Sequence, residues 1–287
     1  MSCMNFIFSL AQSDPVALSQ DQLLWNVIIA GVASALATGL GAIPFIFMRG
    51  NTTPKWQGYC SGAAGGMMIG ASVFSLVHEG QQINPQTTVV GLLAGMIFLW
   101  IAAKFLHDHH SHDVAEHDHE HEHQDHEHQH SHVQQLQSSK LSPQSLLVLL
   151  TMFVHSGAEG IAIGVGFASG EIELGILVAL VISVHNIPEG IAITLPMHAQ
   201  GISLWKCAWW SVFSSLPQPI VAIPAFLLVH HFQYLVAPSM GFAAGAMLYL
   251  VVAELLPESY ARCTKHQTAW SVMVGLLGML VFVMLVD

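Results

Sequence analysis

Two decapeptides carry the chemistry that stands out in this sequence: VHSGAEGIAI at 154–163 and VHNIPEGIAI at 184–193. Each sets a histidine four positions before a glutamate inside an apolar run, His155 with Glu159 and His185 with Glu189. On an α-helix, positions i and i+4 stack on one face, so each motif turns one imidazole and one carboxylate in the same direction. Two such pairs on adjacent helices form a mixed nitrogen and oxygen ligand set, suited to Zn²⁺, Fe²⁺ or Mn²⁺ rather than to Ca²⁺ or Mg²⁺. The alternative is a pair of buried His–Glu hydrogen bonds that staple two helices. Repetition of the spacing in consecutive apolar segments argues against it.

The elements that carry these motifs follow from composition. The chain has 287 residues, 53% hydrophobic and 9% charged, far below the roughly 25% charged of a soluble domain. Apolar stretches of about 20 residues, enough to cross a ~30 Å hydrocarbon core as helices, occur near 23–48, 57–79, 86–106, 144–168, 172–197, 204–230, 233–257 and 267–286. They lack the period-two alternation of barrel strands and are too long for them. The expectation is an all-α integral membrane protein with eight transmembrane helices. In a bilayer each buried charge costs about 2.5–3.5 kcal/mol and usually marks an ion path or proton relay, which raises the significance of the twin motifs.

The seven Lys and Arg residues orient the bundle. Arg49, Lys55, Lys104, Lys140, Lys206, Arg262 and Lys265 all fall on one side of an eight-span arrangement, and the positive-inside rule makes that side the cytoplasm. Both termini are then extracytoplasmic, in a multi-pass protein of the inner (plasma) membrane. Residues 1–22 contain no basic residue and read as an extracytoplasmic segment rather than a secretory signal. Glu79, Glu171 and Glu173 fall on the outer face, either as an anionic rim that gathers cations or as ordinary loop charge. The cysteines, Cys3, Cys60, Cys207 and Cys263, have no paired spacing and read as small packing residues.

The chain divides into residues 1–22, helices 1–3 at 23–106, a connection at 107–143, and helices 4–8 at 144–286. Within the connection, residues 107–132 hold 12 of the 19 histidines and 8 of the 18 acidic residues. Such a segment buries too little apolar surface to offset its ordering entropy, and its composition reads as metal binding. A disordered cytoplasmic buffer or sensor is expected there.

Helix 2 contains AAGGM and helix 7 AAGAM, each followed by an apolar run and a glutamate, while the two helices cross in opposite directions. Helices 1–3 and 6–8 can therefore form an inverted repeat around helices 4 and 5, an arrangement that places a substrate near the midplane. Small-residue packing alone also produces such stretches. Pro188 frees the carbonyl of Val184, and a kink there would open a polar groove. Met68 in helix 2 offers a thioether or is simply core. Glu254 in helix 7 reads as an exit site, a proton acceptor or a structural pair.

With HSGAEGIAIG at 155–164, HNIPEGIAI at 185–193, eight spans and a His-rich connection between spans 3 and 4, the sequence resembles the ZIP (Zrt- and Irt-like) divalent metal transporters, with similarity to their prokaryotic GufA-like branch. The resemblance implies eight helices in a 3+2+3 arrangement with inverted repeats, and alternating access that moves metal into the cytosol. It implies His155, Glu159, His185 and Glu189 as the transport site, with Met68 an extra contact. Ser156 and Asn186 fall where some relatives bind a second, adjacent metal; Ser156 stands where asparagine is frequent and Gln218 where a glutamate aligns, which argues for one metal.

The expected cargo is Zn²⁺, with Cd²⁺, Fe²⁺ and Mn²⁺ as alternatives. No enzymatic activity and no catalytic cofactor are expected. Partners are divalent metal ions and the lipid bilayer, with a second copy of the chain as an option and no nucleic acid. Three other functions compete, one of them a metal-sensing membrane protein without transport that rests on the His-rich tract. A cation-diffusion exporter would have six spans and a soluble C-terminal domain, and an intramembrane zinc hydrolase would need an open water position and a separate general base.

Overall fold

A computed structural model describes residues 19–47, 54–115 and 143–286. The N-terminal segment, Arg49, Lys140 and the tract beyond Ala115 lie outside the described residues, so the expectations for them are not addressed by the fold.

Every regular element among the described residues is helical. Eight helices are long and apolar enough to cross a membrane: α1 (Gln20–Ile46), α2 (Lys55–Ile83), α3 (Pro85–Phe105), α4 (Leu149–Ala168), α5 (Ile172–Ala199), α6 (Leu204–His231), α7 (Gln233–Arg262) and α8 (Lys265–Val286). The helix containing α3 continues to Ala115, past the boundary at 106 expected from hydropathy. Polar side chains set several starts. Ser19 and Gln22 cap α1 reciprocally, Thr264 and Gln267 do the same for α8, and Asn84 accepts from the Thr87 amide at α3, each satisfying an orphan N–H of a first turn. Gly170 at φ 94° and Gly201 at φ 83° make the tight turns on either side of α5, a backbone region that costs other residues.

The helices pack in a definite pattern. Helix α1 lies against α5 and α6, α4 against α5 and α6, α2 against α8, and α3 against α7. Contacts of α5 with α2 and of α4 with α7 join these two groups. The central helix α4 is the most enclosed, with 72% of its apolar window buried, whereas α8 at 17% and α3 at 22% face outward. Without a hydrophobic drive between helices in lipid, association depends on close van der Waals fit and small residues. Gly91 and Gly95 of α3 and Gly241 and Gly245 of α7 supply that fit, because a Cβ at each would collide with backbone of the opposing helix.

Four spans are interrupted. Residues 41–43 break α1, Ser215–Leu216 breaks α6 just before Pro217, and π-helical turns occupy Ser72–Val77 of α2 and Val251–Leu255 of α7. By contrast α5 runs unbroken through Pro188 and Pro196. Thus the proline within the second motif removes one helical bond without ending the helix.

The close approach of α3 and α7 generates a paired prediction. Gly245→Ala places a methyl against the Leu92 carbonyl and is expected to cost about 1–3 kcal/mol by overpacking. The same substitution at Gly278, where nothing lies within 4 Å, is expected to be neutral. Thermal unfolding of the two variants in detergent compares them.

Candidate metal centre

The short 169–171 connection makes α4 and α5 adjacent, antiparallel helices. Each motif sits well inside its helix, so the i, i+4 geometry of both is kept. His155, Glu159, His185 and Glu189 are all buried. Ligand atoms of His155, Glu159 and Glu189 lie within 4.8 Å of one another. His185 joins them through Glu159, with Nε2 at 2.7 Å from Oε1. His155 Nε2 lies 3.4 Å from the same oxygen.

The orientation of His185 is set by its second nitrogen. Nδ1 lies 3.0 Å from the carbonyl oxygen of Val181, which only accepts, so Nδ1–H donates and Nε2 is turned toward Glu159. A neutral imidazole with Nδ1 protonated offers a lone pair at Nε2, and an ionised carboxylate also only accepts. The 2.7 Å approach therefore requires a shared proton or a cation. Orientation of a ligand histidine by a backbone carbonyl is the usual arrangement at metal sites.

Around this point several buried polar atoms make no hydrogen bond among the described residues: both carboxylate oxygens of Glu189, both ring nitrogens of His155, Ser156 Oγ and Asn186 Oδ1. Leaving a buried donor or acceptor unpaired costs about 1–3 kcal/mol, and more for a charged group. Such a cluster around a buried carboxylate is the chemistry of a cation site. The donor set, two imidazoles and two carboxylates, suits a borderline divalent metal.

The remaining sequence candidates divide. Gln218, at the start of the second segment of α6, donates from Nε2 to Glu159 Oε2 at 2.5 Å. Asn186 donates to the carbonyl oxygen of Ser34 at 3.1 Å, to Ser34 Oγ at 3.0 Å and to Gln218 Oε1 at 3.3 Å. Met68 is fully buried on α2, the helix packed against α5. Glu254 lies apart, in the π-helical turn of α7, lining a small cavity with Leu99, Thr151 and Tyr249. Thr151 is one helical turn before His155, so this cavity adjoins the centre on the side of α4's N-terminal end.

Sequence reading missed the contribution of α1. Ser34 holds Asn186, and Thr38 hydrogen-bonds Ser215 at the break in α6 at 2.8 Å. The signal was present as two small polar residues in an apolar span, but their partners lie more than 150 positions away. Glu258 also joins helices, a role that sequence reading did not assign to it. It accepts from Gln57 at 2.6 Å and Ser61 at 2.9 Å, with Arg262 at 3.6 Å, and so fastens α7 to α2.

The family model described as ZIP Zinc transporter matches residues 21–285. A putative zinc transporter of Arabidopsis thaliana is 36% identical over 256 residues, covering 88% of this chain but only 38% of that longer protein. The zinc transporter GufA of Myxococcus xanthus is 30% identical over 88% of this chain and 96% of its own length. The zinc transporter ZIPB of Bordetella bronchiseptica is 29% identical over 91% and 80%. Matched from its first span to its last, and built of eight membrane-length helices around paired His–Glu motifs, the chain belongs to the ZIP zinc transporter family.

Proposed function

We propose that this protein carries Zn²⁺ across the plasma membrane into the cytosol, and that His155, Glu159, His185 and Glu189 bind it midway. The observation that carries the reading is the buried Glu189 carboxylate without a hydrogen bond from any described residue, within 4.8 Å of ligand atoms of His155 and Glu159. A divalent cation supplies what that carboxylate lacks. Met68 is assigned as an added soft contact from α2, with Ser156 and Asn186 bordering the site and Glu254 receiving metal on the cytoplasmic side. Cd²⁺, Fe²⁺ and Mn²⁺ suit the same donor types and are secondary cargoes.

The helix pairing supports an inverted repeat of α1–α3 and α6–α8 around α4 and α5. Exchanging α1 with α6, α2 with α7, α3 with α8 and α4 with α5 turns the α2–α8 contact into α7–α3, and the α1–α5 contact into α6–α4; all four are present. The π-helical turns of α2 and α7 correspond under the same exchange. Alternating access then consists of α1, α4, α5 and α6 moving with the ligands against α2, α3, α7 and α8, as in transporters built from such repeats. The one-sided placement of Lys and Arg supports cytoplasmic delivery, where the His-rich tract at 107–132 buffers incoming metal. Because relatives in this family are transporters and not enzymes, the hydrolase alternative is set aside.

In proteoliposomes, Zn²⁺ or Cd²⁺ is expected to enter down its gradient. His185→Ala and Glu189→Ala are each expected to reduce that flux by more than roughly tenfold, since even outer partners of metal ligands are worth 10–100-fold in affinity. Full flux in both variants would overturn the site. Removing residues 107–132 is expected to leave initial uptake largely intact while lowering the amount of metal retained by the purified protein. Loss of initial uptake on that deletion would place the transport chemistry in the tract instead.

A further inference from the structure

The two oxygens of Glu159 have different partners. Oε1 faces His185 at 2.7 Å and His155 at 3.4 Å, while Oε2 accepts from Gln218. The direction of the Gln218 amide is not arbitrary, because it is set by a chain of bonds that begins at a backbone carbonyl. The oxygen of Ser34 can only accept, so the group of Asn186 that meets it must be the NH₂. That same NH₂ meets one end of the Gln218 amide, which must therefore be the oxygen. The NH₂ of Gln218 is left pointing at Glu159 Oε2.

Every member of this chain is buried, and it crosses four helices: α1 at Ser34, α5 at Asn186, α6 at Gln218 and α4 at Glu159. Backbone packing sets its reach. Gly160 directly follows Glu159, and a Cβ there would collide with the backbone of Gln218. Only a hydrogen at position 160 lets α4 approach closely enough for the amide to bond the carboxylate. The break at Ser215–Leu216 just before Gln218, held by Thr38 through Ser215, fixes where the second segment of α6 begins.

We propose that Gln218 is a positioning residue rather than a metal ligand: its amide holds Glu159 with Oε1 turned to the histidines and occupies the space before Oε2, so that the centre takes a single metal ion. This deepens the transport-site reading of His155, Glu159, His185 and Glu189 and rests on it. An N–H donor and a cation compete for the lone pairs of Oε2, and the donor already holds one of them and stands in the space before it. Outer partners that orient ligands in this way are usually worth 10–100-fold in metal affinity. Replacing the amide by a carboxylate removes the donor and adds negative charge at the same point. That exchange creates the demand for a second cation which the wild-type sequence has removed.

The test uses crystals of the full-length protein soaked in Cd²⁺, with cadmium located by anomalous scattering, together with Cd²⁺ uptake kinetics in proteoliposomes. In the wild type, one cadmium is expected among the four His and Glu side chains. Gln218→Glu is expected to show a second, between the new carboxylate and Glu159. Gln218→Ala is expected to keep one cadmium and raise the KM for uptake roughly 10- to 100-fold, and Asn186→Ala is expected to shift KM in the same direction by releasing the amide. Two cadmium ions in the wild type, a single one in Gln218→Glu, or an unchanged KM in Gln218→Ala would each overturn the proposal. The wild-type count decides the single-metal claim even where a variant does not fold. Absence of cadmium from the space between α4 and α5 in the wild type would instead overturn the transport-site reading itself.

Discussion

A carboxylate buried in a membrane must be neutralised, and most of this structure follows from that constraint. Glu159 and Glu189 lie on adjacent helices, and among the described residues no Lys or Arg is bonded to either. Protein hydrogen bonds reach only Glu159. Isolated ions in a low-dielectric interior are unfavourable by several kcal/mol even after relaxation. The protein therefore keeps two carboxylates where only a cation or protons can balance them. A permanent partner such as lysine would stabilise the bundle more and would also end its capacity to bind cargo.

The apolar framework is organised to hold those groups at close range without hydrophobic pressure between helices. Glycine lets α4 approach α6 at Gly160, and lets α5 approach α1 at Gly190, where a Cβ would collide with the Thr38 carbonyl. Each glycine directly follows a glutamate of the twin motifs, so the packing contact and the ligand are one residue apart on the same helix. Packing thus fixes the depth and rotation of the carboxylate. The two copies use this device against different partners, α6 for α4 and α1 for α5, which is why the EG dipeptide recurs while the residues between His and Glu do not.

The parts of this arrangement that were legible in the sequence are those with short range. Eight apolar spans, the i, i+4 pairing of His155 with Glu159 and His185 with Glu189, and the adjacency of α4 and α5 all follow from local spacing. The breaks were not legible. Pro188 drew attention as a kink, yet α5 continues through it because one missing bond inside a long, supported helix is tolerated in membranes. The interruptions fall instead in α1, α2, α6 and α7; those of α1, α6 and α7 end at or just before Pro44, Pro217 and Pro257, whereas that of α2 has no proline beside it, since a π-helical turn depends on what the helix packs against. Gln218 was legible only through the resemblance, as an amide standing where a glutamate aligns. Its role depends on the polarity of Asn186, which depends on Ser34, and no local pattern links residues separated by 152 and 32 positions.

If the proposed site is the transport site, charge arithmetic bears on the number of ions it takes. Two neutral imidazoles and two carboxylates carry a formal charge of −2, and one divalent metal brings the loaded centre to zero. A neutral complex is the form that passes the middle of a bilayer at least cost, since the penalty there falls on net and unpaired charge. A second divalent ion at the same centre would leave an excess of +2, which one more carboxylate would only halve, and position 218 is where the fold could have placed that carboxylate beside Glu159. An amide at that position keeps a donor for Glu159 and adds no charge. The 2.7 Å contact of His185 with Glu159 requires a shared proton or a cation, and metal ligands must be deprotonated. At the proposed site metal and proton would therefore compete for the same pair of atoms, and the Val181 carbonyl orients His185 for either.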